Sequence, residues 1–99
     1  MVVRFRDRSL RRCYVEHKEG IKRWNKKVAR LYVQRVNILQ TCSSVEDLAT
    51  LPQLRFHPLT GKQRGCHAIN LDGFWRLIVS VDETGQEVRG EEVSKHYDD

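Results

Sequence analysis

The spacing of apolar residues changes along the chain, from a helical period in the first half to an alternation in the second. Between residues 24 and 40 apolar side chains recur every three or four positions, which predicts an amphipathic helix with one buried stripe. Aromatic residues at this spacing, beside aliphatic ones, favour a core role over a base-stacking role. The stripe consists of Trp24, Val28, Leu31, Tyr32, Val36 and Leu39.

Shorter elements flank this helix. Residues 2–5 read as a strand, and Asp7 or Ser9 caps a first helix that runs to about His17 and is broken by Gly20. A serine at 43 or 44 opens a short helical turn, which Pro52 ends. A strand is expected over residues 54–57, stopping at Pro58.

The remainder predicts a meander of strands. Residues 66–71 and 74–81 flank Asp72-Gly73, a strong signal for a two-residue hairpin turn. A looser turn at 82–85 leads to a last strand near 87–94. Helices followed by such a meander predict one α+β domain over residues 1–99. Its antiparallel sheet, mixed through the N-terminal strand, carries two or three helices on one face.

The expected hairpin also assigns faces to its side chains. A two-residue turn places Leu71 opposite Phe74, so that His67 and Arg76 share one face. The other face, which carries Cys66, Ala68, Asn70, Trp75, Leu77, Val79 and Val81, is more uniformly apolar and should meet the helices. Arg76 then lies on the opposite face of a central strand. Because a dry cation is costly, that face should be open to water or to a partner.

The charge is unevenly distributed. The net charge is +5, but the first 40 residues hold twelve basic and three acidic side chains, a net +9, against six basic and ten acidic in the other 59. A basic half on a small domain indicates a polyanionic partner, either nucleic acid or an acidic protein.

Several classes are excluded by composition. Cys13, Cys42 and Cys66 are odd in number and widely separated, so neither a disulfide framework nor a zinc site is expected. No Asp/Glu cluster suggests a metal, and no cofactor is expected. The absence of a membrane-length apolar run or a signal-like N-terminus predicts a cytoplasmic protein.

Three features could carry chemistry: His57 before a proline, Arg76 in a central strand, and His96-Tyr97 near the end. Metal-free RNA cleavage needs a base for the ribose 2′-hydroxyl, an acid for the leaving 5′-oxygen and a cation for the phosphorane. Histidine and arginine suit these roles. The structural alternatives are a strand end for His57, a pair with Glu91 for Arg76, and an unstructured tail for the last two.

A longer pattern surrounds these residues. The sequence runs Phe56-His57-Pro58-Leu59-Thr60-Gly61, then Arg64-Gly65, then a hairpin that ends in Trp75-Arg76-Leu77. This pattern resembles the HigB-type plasmid-maintenance killer proteins of the RelE/ParE toxin superfamily. The resemblance implies a compact RelE-like fold, ribosome-dependent cleavage of messenger RNA, and control by a cognate antitoxin, usually a helix-turn-helix protein.

By motif position, the resemblance makes His57, Arg76 and His96 the active-site residues. Family members often end in Asp-Tyr-His, whereas this chain has Ser94-Lys95-His96-Tyr97. Lys95 would then act on phosphate or donate the proton, and Tyr97 would supply a displaced ring.

A frequent family lysine is replaced by Thr60, with Lys62 and Arg64 nearby as substitutes. The residues predicted to contact RNA and the ribosome are Lys22, Arg23, Lys26, Lys27, Arg30, Lys62 and Arg64.

Two other functions compete with the nuclease. A ParE-like protein would poison DNA gyrase by binding alone, and a simple basic nucleic-acid-binding module would need no histidines. The set of two histidines and an arginine favours the nuclease.

Overall fold

The computed structural model describes residues 1–95, so the predictions for His96 and Tyr97 lie outside the described part. Short 3₁₀ turns occupy Pro52–Leu54 and Gly61–Gln63. The helices are α1 (Arg8–Val15), α2 (His17–Arg23), α3 (Lys26–Thr41) and α4 (Val45–Leu48). The strands are β1 (Val2–Phe5), β2 (His57–Pro58), β3 (Cys66–Asn70), β4 (Trp75–Val81) and β5 (Glu87–Lys95).

The strands form one sheet in the order β1-β5-β4-β3-β2. β1 is parallel to β5, and the other neighbours are antiparallel. The helices pack on one face, where residues of α1 and α3 share a core with Ile69, Leu77, Val79 and Val88 of the sheet. The α+β class and the mixed sheet agree with the sequence-based prediction.

Side-chain caps begin the two principal helices. Asp7 accepts a 2.8 Å hydrogen bond from the Leu10 amide, and Asn25 accepts one of 2.9 Å from the Val28 amide. The Tyr32 hydroxyl donates to the Leu10 carbonyl at 2.7 Å, which ties α3 to α1. The predicted stripe on α3 is core, since most of it is fully buried.

The region around Gly20 differs from the prediction. The break between helices falls at Glu16, and Gly20 lies buried inside α2. A Cβ atom at Gly20 would come within 3.1 Å of the Ala29 Cβ, so glycine here permits close approach of α2 and α3. Trp24 ends α2 and does not begin α3.

The predicted strand at 54–57 is also wrong. Pro52 begins a 3₁₀ turn, and Arg55 has a left-handed backbone with φ of 47°. Neither conformation continues a strand, so only His57 and Pro58 pair with β3.

The hairpin is shifted by one residue from the expected register. The Leu71 amide donates to the Trp75 carbonyl at 3.0 Å, so Asp72, Gly73 and Phe74 form a three-residue loop. Arg76 therefore pairs with Asn70 and not with Ile69.

This shift changes the faces of β3 and leaves those of β4 as predicted. Leu77 and Val79 meet the helices, and Arg76 lies on the other side of the sheet, hereafter the open face. His67 was expected beside Arg76, but it points to the helix face. Cys66, Ala68 and Asn70 were expected against the helices, and they lie on the open face.

Candidate functional site

Two neighbouring rows of paired residues on the open face bring His57 and Arg76 to the same side of the sheet. The strand β3 lies between them, and they occupy adjacent rows. The usual strand spacing and rise per residue then put their backbones about 12 Å apart. The first row is His57, Ala68, Ile78 and Glu92, and the second is Asn70, Arg76 and Ser94.

The orientation of His57 is set by the residue that breaks the preceding chain. The imidazole Nδ1 lies 2.6 Å from the carbonyl oxygen of Arg55, which has the left-handed backbone. A carbonyl only accepts, so Nδ1 carries the proton and Nε2 is the basic nitrogen of the neutral ring.

Phe56, the residue before His57, anchors β2 through a contact on the helix face of the sheet. Phe56 stacks on His67, with ring centroids 4.5 Å apart and 2° between planes. Burial, with a smaller contribution from His57, lowers the pKa of His67 below its usual value. Within residues 1–95, the buried Nδ1 of His67 has no hydrogen-bond partner.

Arg76 is held at the end of the hairpin. Its Nη1 donates to the Gly73 carbonyl at 2.7 Å and to the Trp75 carbonyl at 3.0 Å. The side chain is half-buried. The alternative ion pair between Arg76 and Glu91 is not formed, and Glu91 instead accepts from Ser80 and pairs with Arg89.

A β-bulge places two carboxylates together on the open face, whereas sequence reasoning considered only Glu91, as a partner for Arg76. Ile78 pairs with Glu92 and Val79 with Gly90, so Glu91 is the extra residue. Burial alone would raise the pKa of Glu91, but hydrogen bonds from Arg89 and Ser80 outweigh it and lower the pKa. Strict alternation hides this arrangement, and the adjacent Gly90 is the only local signal of a bulge in the sequence.

The loop after β2 covers the first row. Leu59 packs on Ala68 and Ile78, and the Gln63 amide donates to Glu92 at 3.0 Å. Gln63 was not singled out from the sequence. The predicted residues Lys62 and Arg64 are exposed on either side of it and border the open face.

Lys95 lies on the helix face and is not brought beside Arg76. It pairs with Trp75, and its ammonium is 5.9 Å from the Trp75 ring centre. The predicted companions His96 and Tyr97 follow it, outside the described residues.

Arg35 is basic but is not a surface residue. It is 7% exposed, and its Nε donates to the Asn70 carbonyl at 2.9 Å. Burial lowers its pKa. Arg35 has no ion pair within residues 1–95. Its hydrogen bond to Asn70 ties α3 to β3, and Asn70 is the strand partner of Arg76.

The other predicted basic residues divide between two surfaces. Lys22 and Arg23 belong to α2 and line a cleft with Arg8 and Arg12 of α1. Lys22 pairs with Glu19 at 3.2 Å, which contributes to the lowered pKa of Glu19. Arg23 donates to Ser9 at 2.6 Å.

The α3 members of the set lie towards the hairpin. Lys27 pairs with Asp72 in the hairpin loop at 3.2 Å. Lys26 and Arg30 are exposed and make no ion pair within the described residues.

Among residues 1–95, His, Cys, Asp and Glu side chains do not gather in a group of three or more that could hold a metal ion. None of the helices in this part of the chain combines the length and the apolar character that a membrane span requires.

Comparison with known proteins rests on solved structures, because no family model and no curated protein matches the sequence. The YoeB/ParE toxin from Agrobacterium tumefaciens is 19% identical with a TM-score of 0.58, covering 98% of this chain and 100% of that one. YafQ from E. coli strain BL21(DE3) is 13% identical with a TM-score of 0.61, covering 95% and 91%. The toxin-antitoxin complex RelBE2 from Mycobacterium tuberculosis contains a chain that is 22% identical with a TM-score of 0.53, covering 96% of both. The protein therefore has the compact α+β fold of the RelE-like toxins.

Proposed function

We propose that this protein is the toxin of a type II toxin–antitoxin pair, of the HigB kind, and that it cuts messenger RNA on the ribosome. One observation carries the proposal: His57 and Arg76 lie on the same open sheet face, beside a loop that exposes Lys62 and Arg64. A base and a cation on a face bordered by positive charge are suited to a phosphodiester.

In this proposal His57 is the general base. Nε2 takes the proton from the ribose 2′-hydroxyl, since Nδ1 already donates to the Arg55 carbonyl. The 2′-oxygen attacks phosphorus and the bond to the 5′-oxygen breaks. The products are a 2′,3′-cyclic phosphate and a 5′-hydroxyl that needs one proton.

Arg76 stabilises the negative charge that develops on the phosphorane. Its hydrogen bonds to Gly73 and Trp75 fix the guanidinium before RNA arrives, so little reorganisation is needed in the transition state. The proton for the 5′-oxygen comes from His96 by its match to the killer-protein motif, with Tyr97 as the alternative donor, because Lys95 lies on the helix face.

The proposed partners are the ribosome, messenger RNA and a cognate antitoxin. The basic residues of α2 and α3, together with Lys62 and Arg64, provide contacts for ribosomal RNA. The antitoxin is proposed because a neighbour of the same fold occurs in a toxin-antitoxin complex.

Mapping of RNA 5′ ends after induction tests the function. Wild type should stop translation and fragment messages, Arg76→Ala should do neither, and Arg89→Ala, on the same face, should behave as wild type. DNA damage and filamentation without fragmentation would support a gyrase poison instead. Harmless, salt-sensitive RNA binding would indicate a basic binding module.

A further inference from the structure

The segment that follows β2 folds back over the open face. Ala68 and Ile78 lie on this face, away from the helices, yet they are only 0% and 1% exposed. Leu59 covers them and forms a second small core with them. Residues 59–65, hereafter the strap, are therefore packed on the sheet and do not extend into solvent as a free loop.

One hydrogen bond carries the strap across the sheet. The Gln63 amide Nε2 donates to the Glu92 carboxylate at 3.0 Å. Glu92 belongs to β5, whereas the strap connects β2 to β3, so the contact reaches past β3 and over β4. The strap bends at Gly61 and Gly65, with φ of 69° and 97°. Because glycine loses more conformational freedom on ordering than other residues, this shape depends on contacts that hold it.

The contact also explains a carboxylate on the open face. Within residues 1–95, the Glu92 carboxylate accepts a hydrogen bond from Gln63 and from no other side chain. Glu91, by comparison, pairs with Arg89. A carboxylate on a face proposed to bind RNA would repel phosphate, so Glu92 is better suited to holding the strap than to touching RNA.

Glu92 places the strap beside the proposed phosphate site. Its partner on β4 lies two residues from Arg76, so the backbones of Glu92 and Arg76 are diagonal neighbours about 7–8 Å apart. The two cations of the strap, Lys62 and Arg64, are exposed and form no ion pair within residues 1–95. Fixing the strap at Glu92 therefore holds both cations near Arg76.

We infer that Gln63 and Glu92 are positioning residues, whose hydrogen bond holds the strap across the open face. Lys62 and Arg64 then meet the RNA backbone next to the phosphate at Arg76. Cations that are held in place before binding lose less conformational freedom when RNA arrives, which raises affinity. The identity of the ligand rests on the proposed function, whereas the strap itself does not.

Amide hydrogen exchange on the full chain, without RNA, tests the strap. Gln63→Leu removes the donor at similar volume and should speed exchange at Leu59 and Arg64 about tenfold. Both of these amides form backbone hydrogen bonds in this region. The Leu71 amide, bonded within the β3–β4 hairpin, should not change. Unchanged exchange at Leu59 and Arg64, or equal acceleration at Leu71, would overturn the inference.

Exchanging the two side chains tests the contact itself. Gln63→Glu places two carboxylates face to face and should release the strap as Gln63→Leu does. The double variant Q63E/E92Q should restore slow exchange, because the amide donor is then on β5 and the acceptor on the strap. Q63E/E91Q has the same net charge but leaves the two carboxylates facing, so it should remain fast. Equal rescue by both double variants would overturn the inference.

Ribosome affinity tests whether the strap acts through its cations. Gln63→Leu should weaken binding to ribosomes that carry a message about threefold, and K62A/R64A about tenfold. The triple variant should bind as K62A/R64A does, since a strap without cations has nothing to position. A further threefold loss in the triple variant would overturn the inference. A wild type that binds but does not cut would refute the nuclease alone, because none of these comparisons measures cleavage.

Discussion

The ring of Phe56 lies parallel to the imidazole of His67, with centroids 4.5 Å apart, and this contact on the helix face fixes the next residue, His57, on the open face. His67 is also the strand partner of Pro58. The stack therefore positions the proposed base without touching RNA.

Removal of the stack should cost stability. We expect His67→Ala to lower the free energy of unfolding by about 1–2 kcal/mol, since a stacked pair and buried area are lost together. His67→Phe should be as stable as wild type or more so, because it keeps the stack and removes a buried nitrogen without a hydrogen-bond partner within residues 1–95. Urea denaturation of both variants measures this, and a His67→Phe protein as weak as His67→Ala would contradict it.

The same residue should make stability depend on pH. Burial lowers the pKa of His67 below the usual 6.5, so the unfolded state binds the proton more readily. Its contribution is complete above the unfolded-state pKa of about 6.5 and is lost as pH falls from there through the lower pKa of the folded state. The free energy of unfolding of His67→Phe should therefore decline less between pH 7.5 and 5 than that of wild type. Parallel curves for the two proteins would refute this.

Arg76→Ala should reduce the rate of message cleavage on ribosomes by about 10²–10³-fold, the usual effect of deleting one donor to a developing oxyanion. The fold should persist, because Arg76 is half-buried on the open face and outside the helix-face core. Single-turnover cleavage together with circular dichroism checks both points. A folded variant that cuts at full rate would place the phosphate site elsewhere.

His57→Ala should slow cleavage by about 10²–10⁴-fold and remove one limb of a bell-shaped pH profile. His17→Ala, on the exposed surface of α2, is the matched control and should cut normally. A full-rate His57→Ala enzyme would eliminate His57 as the base. His96→Ala and Tyr97→Phe, measured in parallel, identify the acid as the variant that loses the other limb, and Lys95→Ala, on the helix face, should keep both limbs.

Ribosome affinity should fall steeply with salt, because each neutralised phosphate releases counterions. Charge reversal of Lys26 and Arg30, which are exposed on α3, should reduce the slope of log affinity against log salt by about 2. Lys27→Glu should also disturb the hairpin loop through its pair with Asp72. An unchanged slope in the first variant would exclude this surface from the interface.

Much of the fold could be predicted, because the spacing of apolar residues indicates α3 and the strands β3, β4 and β5. The hairpin register could not, since Asp72-Gly73 favours a two-residue turn while Phe74 also enters the loop. Gly20 was predicted to break a helix but lies inside α2. The local sequence could not show this, because the reason for glycine there is its close packing against Ala29 of another helix. The sequence placed Arg76 on the correct face, but the bulge that turns Glu91 and Glu92 to one side depends on pairing between distant strands.

The position of β5 between β1 and β4 has a consequence for synthesis of the chain. Val2 finds its strand partner only at Glu87, so the sheet stays divided until nearly all of the described chain has been translated. Joining such distant segments carries a large loop-closure cost and slows folding. A nascent chain therefore leaves the exit tunnel with its first strand unmatched, and β1 joins the sheet of β2, β3 and β4 only after β5 has emerged to lie between them.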